Sequence, residues 1–120
     1  MTHEEFGNMM EGNLVRGYVY PYDGYRSEYW FAHSPENIAS FIMQHRDARE
    51  IILTDVADNK ILNTIGEFID QCPDQKLLQK ILPHLIPQQM GEAEPQEISV
   101  ATDAEVEEYY EMCDEMKLEL

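Results

Sequence analysis

LVRGYVYPYDGYRSEYWFAHSPEN, residues 14–37, is the stretch on which the fold class turns. Leu14 to Tyr20 is rich in β-branched and aromatic residues and predicts a strand. Pro21-Tyr22-Asp23-Gly24-Tyr25 carries turn chemistry, because Asp-Gly readily accepts positive φ. Ser27 to Ala32 predicts the returning strand of a β-hairpin. Ser34-Pro35-Glu36-Asn37 is then a helix start: serine accepts from the free amides of the first turn, and proline at the first helical position gives up no needed donor. Ile38, Phe41, Ile42 and His45 follow at i, i+3, i+4 and i+7, so the helix presents one apolar face. His45 and Arg46 fall where the helix dipole favours cations.

Further along, Ile51-Ile52-Leu53-Thr54 predicts a short buried strand, and Val56-Ala57-Asp58-Asn59 a turn. The next segment reads two ways. Ile61, Leu62, Ile65, Phe68 and Ile69 match a helical stripe, which would give a compact ββαβα order with a helix at 60–71. Gly66 and the Asn59-Lys60 turn favour instead a strand at 60–65 and a single helical turn over Phe68–Cys72, and that is the preferred reading. Pro73-Asp74 opens another helix, with Leu77, Leu78, Ile81 and Leu82 inward and an end or kink at Pro83. The expected class is α+β: a small, mainly antiparallel sheet with two packed helices and an acidic C-terminal helix.

The expected organisation is a core domain over 1–91, with 1–12 as a mobile lead-in, an acidic linker over 92–101 and an acidic amphipathic helix over 102–120. Gly91 to Glu97 offers almost nothing to bury. Thr102-Asp103-Ala104-Glu105 matches a capping box, after which Val106, Tyr109, Tyr110, Cys113 and Met116 or Lys117 mark one stripe. So short a helix is marginal alone and is weakened by repulsion among its acids, so it needs a surface to lie on.

The 120 residues carry 24 acidic and eight basic side chains, a net charge of −16. Residues 1–90 hold 13 acids and seven bases, whereas 91–120 hold 11 acids and Lys117 as their one base. Binding DNA or RNA directly needs Lys and Arg to displace counterions, and anionic membranes make the same demand; a basic protein surface would instead be attracted. No apolar run reaches the roughly 20 residues that span a bilayer, and the start of the chain has no signal-peptide pattern. Two cysteines cannot frame a disulfide fold and suit a reducing cytoplasm.

Two groups of residues are candidates for partner contact. Tyr18, Tyr20, Tyr22, Tyr25, Tyr29 and Trp30 lie within one hairpin, and such rings are enriched at binding hot spots. Cross-strand rings also stabilise sheets, which leaves Tyr22, Tyr25 and Trp30 as the candidates. The second group is Tyr109, Tyr110, Glu107, Glu108 and Glu111 on the acidic helix; they could dock on a partner, join two protomers or, if suitably spaced, imitate a phosphate backbone. No metal-ligand spacing joins His3, His33, His45 and His84. Asp55, Asp58 and Asn59 lack the glycine and glutamate of a calcium loop. There is no nucleophile elbow, phosphate loop or dinucleotide fingerprint, and Cys72 reads as a small core residue. The sequence therefore predicts no enzyme, cofactor or metal.

Thr54-Asp55, Asp58-Asn59, Thr64-Ile65-Gly66, Phe68-Ile69-Asp70, Cys72-Pro73-Asp74-Gln75 and the stretch from Leu82 to Gly91 resemble small accessory proteins of bacterial conjugative and phage-like elements. The resemblance covers residues 50–92. It implies a mobile-element setting, no known activity and no catalytic residues. The expected function is a non-enzymatic binding or regulatory protein that engages a basic protein partner, with a homodimer or larger homo-oligomer joined through the C-terminal helix as the alternative.

Overall fold

A computed structural model describes residues 13–98, 100–102, 104–108 and 111. The fold is α+β, with a wholly antiparallel six-stranded sheet. In chain order the elements are β1 (Leu14–Tyr20), β2 (Ser27–Ala32), α1 (Pro35–Gln44), β3 (Glu50–Thr54), β4 (Lys60–Ile65), β5 (Phe68–Gln71), α2 (Gln75–Gln89) and β6 (Val100–Thr102). Across the sheet the order is β5-β4-β3-β1-β2-β6. Thus α1 carries the chain over β1 from β2 to β3, and α2 carries it from one edge of the sheet to the other.

Two-residue alternation sorts the central strands into two faces. Val15, Gly17 and Val19 of β1 join Phe31, Ile51, Leu53 and Leu62 on the face that meets the helices, where Phe41, Ile42, Ile81 and Leu85 complete the core. Arg16, Tyr18 and Tyr20 turn to the second face with Glu28 and Trp30. The α1 start is as expected: Ser34 is extended, its Oγ accepts from the Asn37 amide at 3.0 Å, and Pro35 opens the helix. Asp74 caps α2 by accepting from the Lys76 and Leu77 amides at 3.0 and 3.2 Å.

Four local expectations need correction. Residues 60–71 are not a helix, and Phe68–Cys72 is not a helical turn. Gly66 at φ 62° closes a tight turn, and Phe68–Gln71 returns alongside β4 as β5. A strand here can turn Ile69 inward, whereas a lone helical turn would leave its backbone groups without ladder partners.

Of the end or kink expected at Pro83, the end does not occur: α2 runs through both Pro83 and Pro87. Their four-residue spacing puts both rings on the outward side, where the carbonyls they leave unbonded face water, while Ile81, Leu85 and Gln88 stay buried.

His45 is not presented as a cation. Its ring lies 5.1 Å from that of Tyr29 and 4.5 Å from that of Phe41, and burial lowers its pKa.

The linker expected over 92–101 is partly built into the sheet. Val100–Thr102 pairs with β2 as β6, and Ile98 and Val100 pack on the core. The Gln96 amide donates to Ser40 Oγ at 3.1 Å, and its carbonyl accepts from Gln44 at 2.9 Å. The lead-in expected over 1–12 lies outside the described residues.

Candidate protein-binding surface

The residues singled out from sequence separate into three places. Tyr22 and Tyr25 stand at the tip of the β1–β2 hairpin, 75% and 96% exposed, where no strand packs over them. Trp30 is half-buried on the second face of the sheet. The guanidinium of Arg16 lies 5.0 Å from its ring centroid and 5.1 Å from that of Tyr18, and Arg26 stands 4.9 Å from the Tyr18 ring. Glu28 joins both cations, at 2.8 Å to Arg16 and 3.0 Å to Arg26. This interleaving of charge and ring, added to packing against Leu14, Ala101 and Val106, gives Trp30 a structural role in the sheet.

The third place is the acidic segment. Residues 104–108 are helical. The Thr102 hydroxyl accepts from the Glu105 amide at 3.4 Å, half of the expected capping box, and donates to the Glu105 carboxylate at 3.3 Å. Val106 is buried against Leu14 and Ala101, so the segment is anchored on its own sheet and Glu107, Glu108 and Glu111 are exposed. Tyr109, Tyr110 and the remainder of the helix expected over 102–120 lie outside the described residues. The structure therefore brings Trp30 together with the root of the acidic segment and keeps both apart from Tyr22 and Tyr25.

A fourth place was missed from sequence. Between β5 and α2 runs a groove of about 430 Å³, with Ile69, Leu78, Leu82, Leu85 and Ile86 along it. Phe68 and Asp70 stand at its rim. Phe68 is 64% exposed, Ile65 beside it 62%, and Met90 at the end of α2 66%. Gln89 ties that end to the β4–β5 turn by donating to the Glu67 carbonyl at 2.8 Å. A helical turn over Phe68–Cys72 would leave no such groove; the signal for it in the sequence is Gly66, whose freedom at positive φ makes a hairpin there. Cys72 lines the groove wall but is buried, and burial pushes its thiol pKa up, away from the reactive thiolate.

Beyond the start of α2, Asn13, His33, Asp55, Lys60 and Asp74 border a second cleft, of about 480 Å³. Its carboxylates are committed to local structure. Asp55 accepts from the Ala57 amide, the Asn59 amide and the Asn59 side chain, bonds that hold its pKa below the usual carboxylate range. Asp74 caps α2, and Lys60 donates to Gln71 at 2.9 Å. Among the described residues no three His, Cys, Asp or Glu side chains converge as metal ligands, and no helix is long and apolar enough to cross a membrane.

Comparison with protein-family models, curated proteins and solved structures found no match to this chain.

Proposed function

We propose that this chain is a non-enzymatic, cytoplasmic binding or regulatory protein that engages a protein partner with a basic surface. The observation that carries the reading is the edge formed by β5 and α2. There, Ile65, Phe68, Ile86 and Met90 expose apolar surface in a chain of net charge −16, and Asp70 is the one charged residue among the described residues that line the groove. Apolar anchors beside a carboxylate suit a protein surface that offers both apolar side chains and a cation. A nucleic acid would be repelled by the same charge. The mobile-element resemblance supplies a setting, since such elements encode small proteins that act on host proteins.

The test is capture from host lysate by the full chain at low and high salt. Proteins of basic composition that dissociate as salt rises are the expected result; a wild-type chain that retains no such protein would end the reading. The alternative is a homo-oligomer joined through the Tyr109 and Cys113 stripe of the C-terminal helix, and light scattering on the full chain distinguishes the two.

A further inference from the structure

We propose that the groove between β5 and α2 receives an extended segment of the partner, alternating apolar and basic residues, as an added strand on β5. The proposal rests on the basic-partner reading above and specifies its site and chemistry. Among the described residues β5 ends the sheet and bonds to β4 on one side only. Antiparallel alternation leaves every second residue of such a strand with its N–H and C=O directed outward, ready to pair with another chain. Natural edges are commonly blunted by charge, irregularity or cover; this one carries Asp70 and a register shift but also shows solvent an exposed Phe68, beside the exposed Ile65 of β4.

The two sides of an added strand would meet different chemistry. On the helix side, alternate side chains would enter the groove against Leu78, Leu82 and Ile86. At 100° per residue, Lys76 and Lys80 fall on the opposite shoulder of α2, toward α1, so neither base guards the opening. On the other side stand Phe68 and Asp70; Asp70 is the extra residue where the β4–β5 register shifts, and its Oδ2 accepts from Asn63 Nδ2 at 3.3 Å. Asp70 offers a carboxylate to a lysine or arginine, and the Phe68 ring offers its π face and an apolar bed for the stem of that side chain. The partner segment is thus specified by its period of two: apolar toward α2, basic toward Asp70.

A second copy of this chain fits less well. Each copy carries a net charge of −16, so bringing two of them together along β5 works against their mutual repulsion. Charge selects a different, basic chain.

The probe is a peptide of about eight residues alternating lysine and valine, long enough to pair along a strand. Its control is the same composition in blocks. Expected results are binding of the alternating peptide by the full chain, about tenfold weaker binding of the block peptide, and slowed amide exchange at residues 68–71 on binding. Phe68→Ser and Asp70→Lys, both at exposed positions, should each weaken the alternating peptide about tenfold while leaving the circular dichroism unchanged. Equal affinity for the two peptides, protection elsewhere in the chain, insensitivity to both substitutions, or dimers formed through β5 would each overturn the proposal. Lysate capture separates the two readings: a salt-sensitive partner held equally by wild type and Asp70→Lys removes the groove and leaves the basic-partner reading, whereas peptide binding with no salt-sensitive partner captured does the reverse.

Discussion

The ring edge of Phe41 lies against the α-carbon of Gly17, so closely that a β-carbon at Gly17 would stand 2.7 Å from Phe41 Cζ and 2.9 Å from Cε1. Gly17 is central in β1, paired with Tyr29 on one side and Leu53 on the other. The missing side chain lets α1 settle onto the middle of the sheet, where Phe41 stacks on Phe31 at 4.7 Å. A glycine that weakens a strand in isolation is thus required by what packs over it.

Gly17→Ala should therefore destabilise the protein, by about 1–3 kcal/mol as an overpacked core position. Urea denaturation gives the value. Combining it with Phe41→Leu should cost less than the sum of the two single changes, because the clash and the ring share one space. Additive costs would show that the contact is not the cause.

Stability should fall on mild acidification. Burial between Tyr29 and Phe41 lowers the His45 pKa from its ordinary value of 6.5. The unfolded chain then binds the proton more readily than the folded one, so this contribution is complete above about pH 6.5 and is lost as pH falls through the lower folded value. Thermal unfolding between pH 8 and pH 5 should show the decline, and His45→Gln should flatten that part of the profile. An unchanged slope in the variant would assign the effect elsewhere.

Val106 closes the small cluster on the second face of the sheet, with Leu14, Ala101 and Trp30. Val106→Asp should detach the acidic segment by placing a charge in that cluster, at a cost of at least about 1 kcal/mol locally. The single tryptophan is the reporter: Trp30 emission should shift to the red, and proteolysis near residues 104–108 should accelerate. Emission identical to wild type would mean that the segment does not rest there.

Thr64 is wholly buried in β4, and its hydroxyl finds no hydrogen-bond partner among the described residues. Thr64→Val keeps the β-branched shape and removes an unsatisfied polar group, so a gain of about 1 kcal/mol is expected. Calorimetry would register it as a higher unfolding temperature; a lower one would reveal a bond that the hydroxyl makes.

Local chemistry was strong enough to be read directly in the first half of the chain. The alternation of Leu14 to Tyr20, the cap Ser34-Pro35 and the stripe from Ile38 to Ile42 determined a hairpin followed by a one-faced helix, and with them the α+β class. The exposure of Tyr22 and Tyr25 followed from their place in the turn, and the local role of Asp55 from its type. The acidity, too, belongs to composition alone.

Only the folded arrangement decided the rest, because the deciding partners are remote in sequence. Pro83 and Pro87 sit within one helix because Ile81 and Leu85 are held from the other side by α1 and the sheet. Ile98 and Val100, β-branched residues in a run that looked like linker, become structure because β2 offers an unpaired edge some seventy residues earlier. The β5–α2 groove exists only when the last strand of one edge meets the helix leaving it. Side-chain pattern determines which faces must be buried, but the choice of neighbour is made by closing long loops around a shared core, and no window of sequence contains that choice.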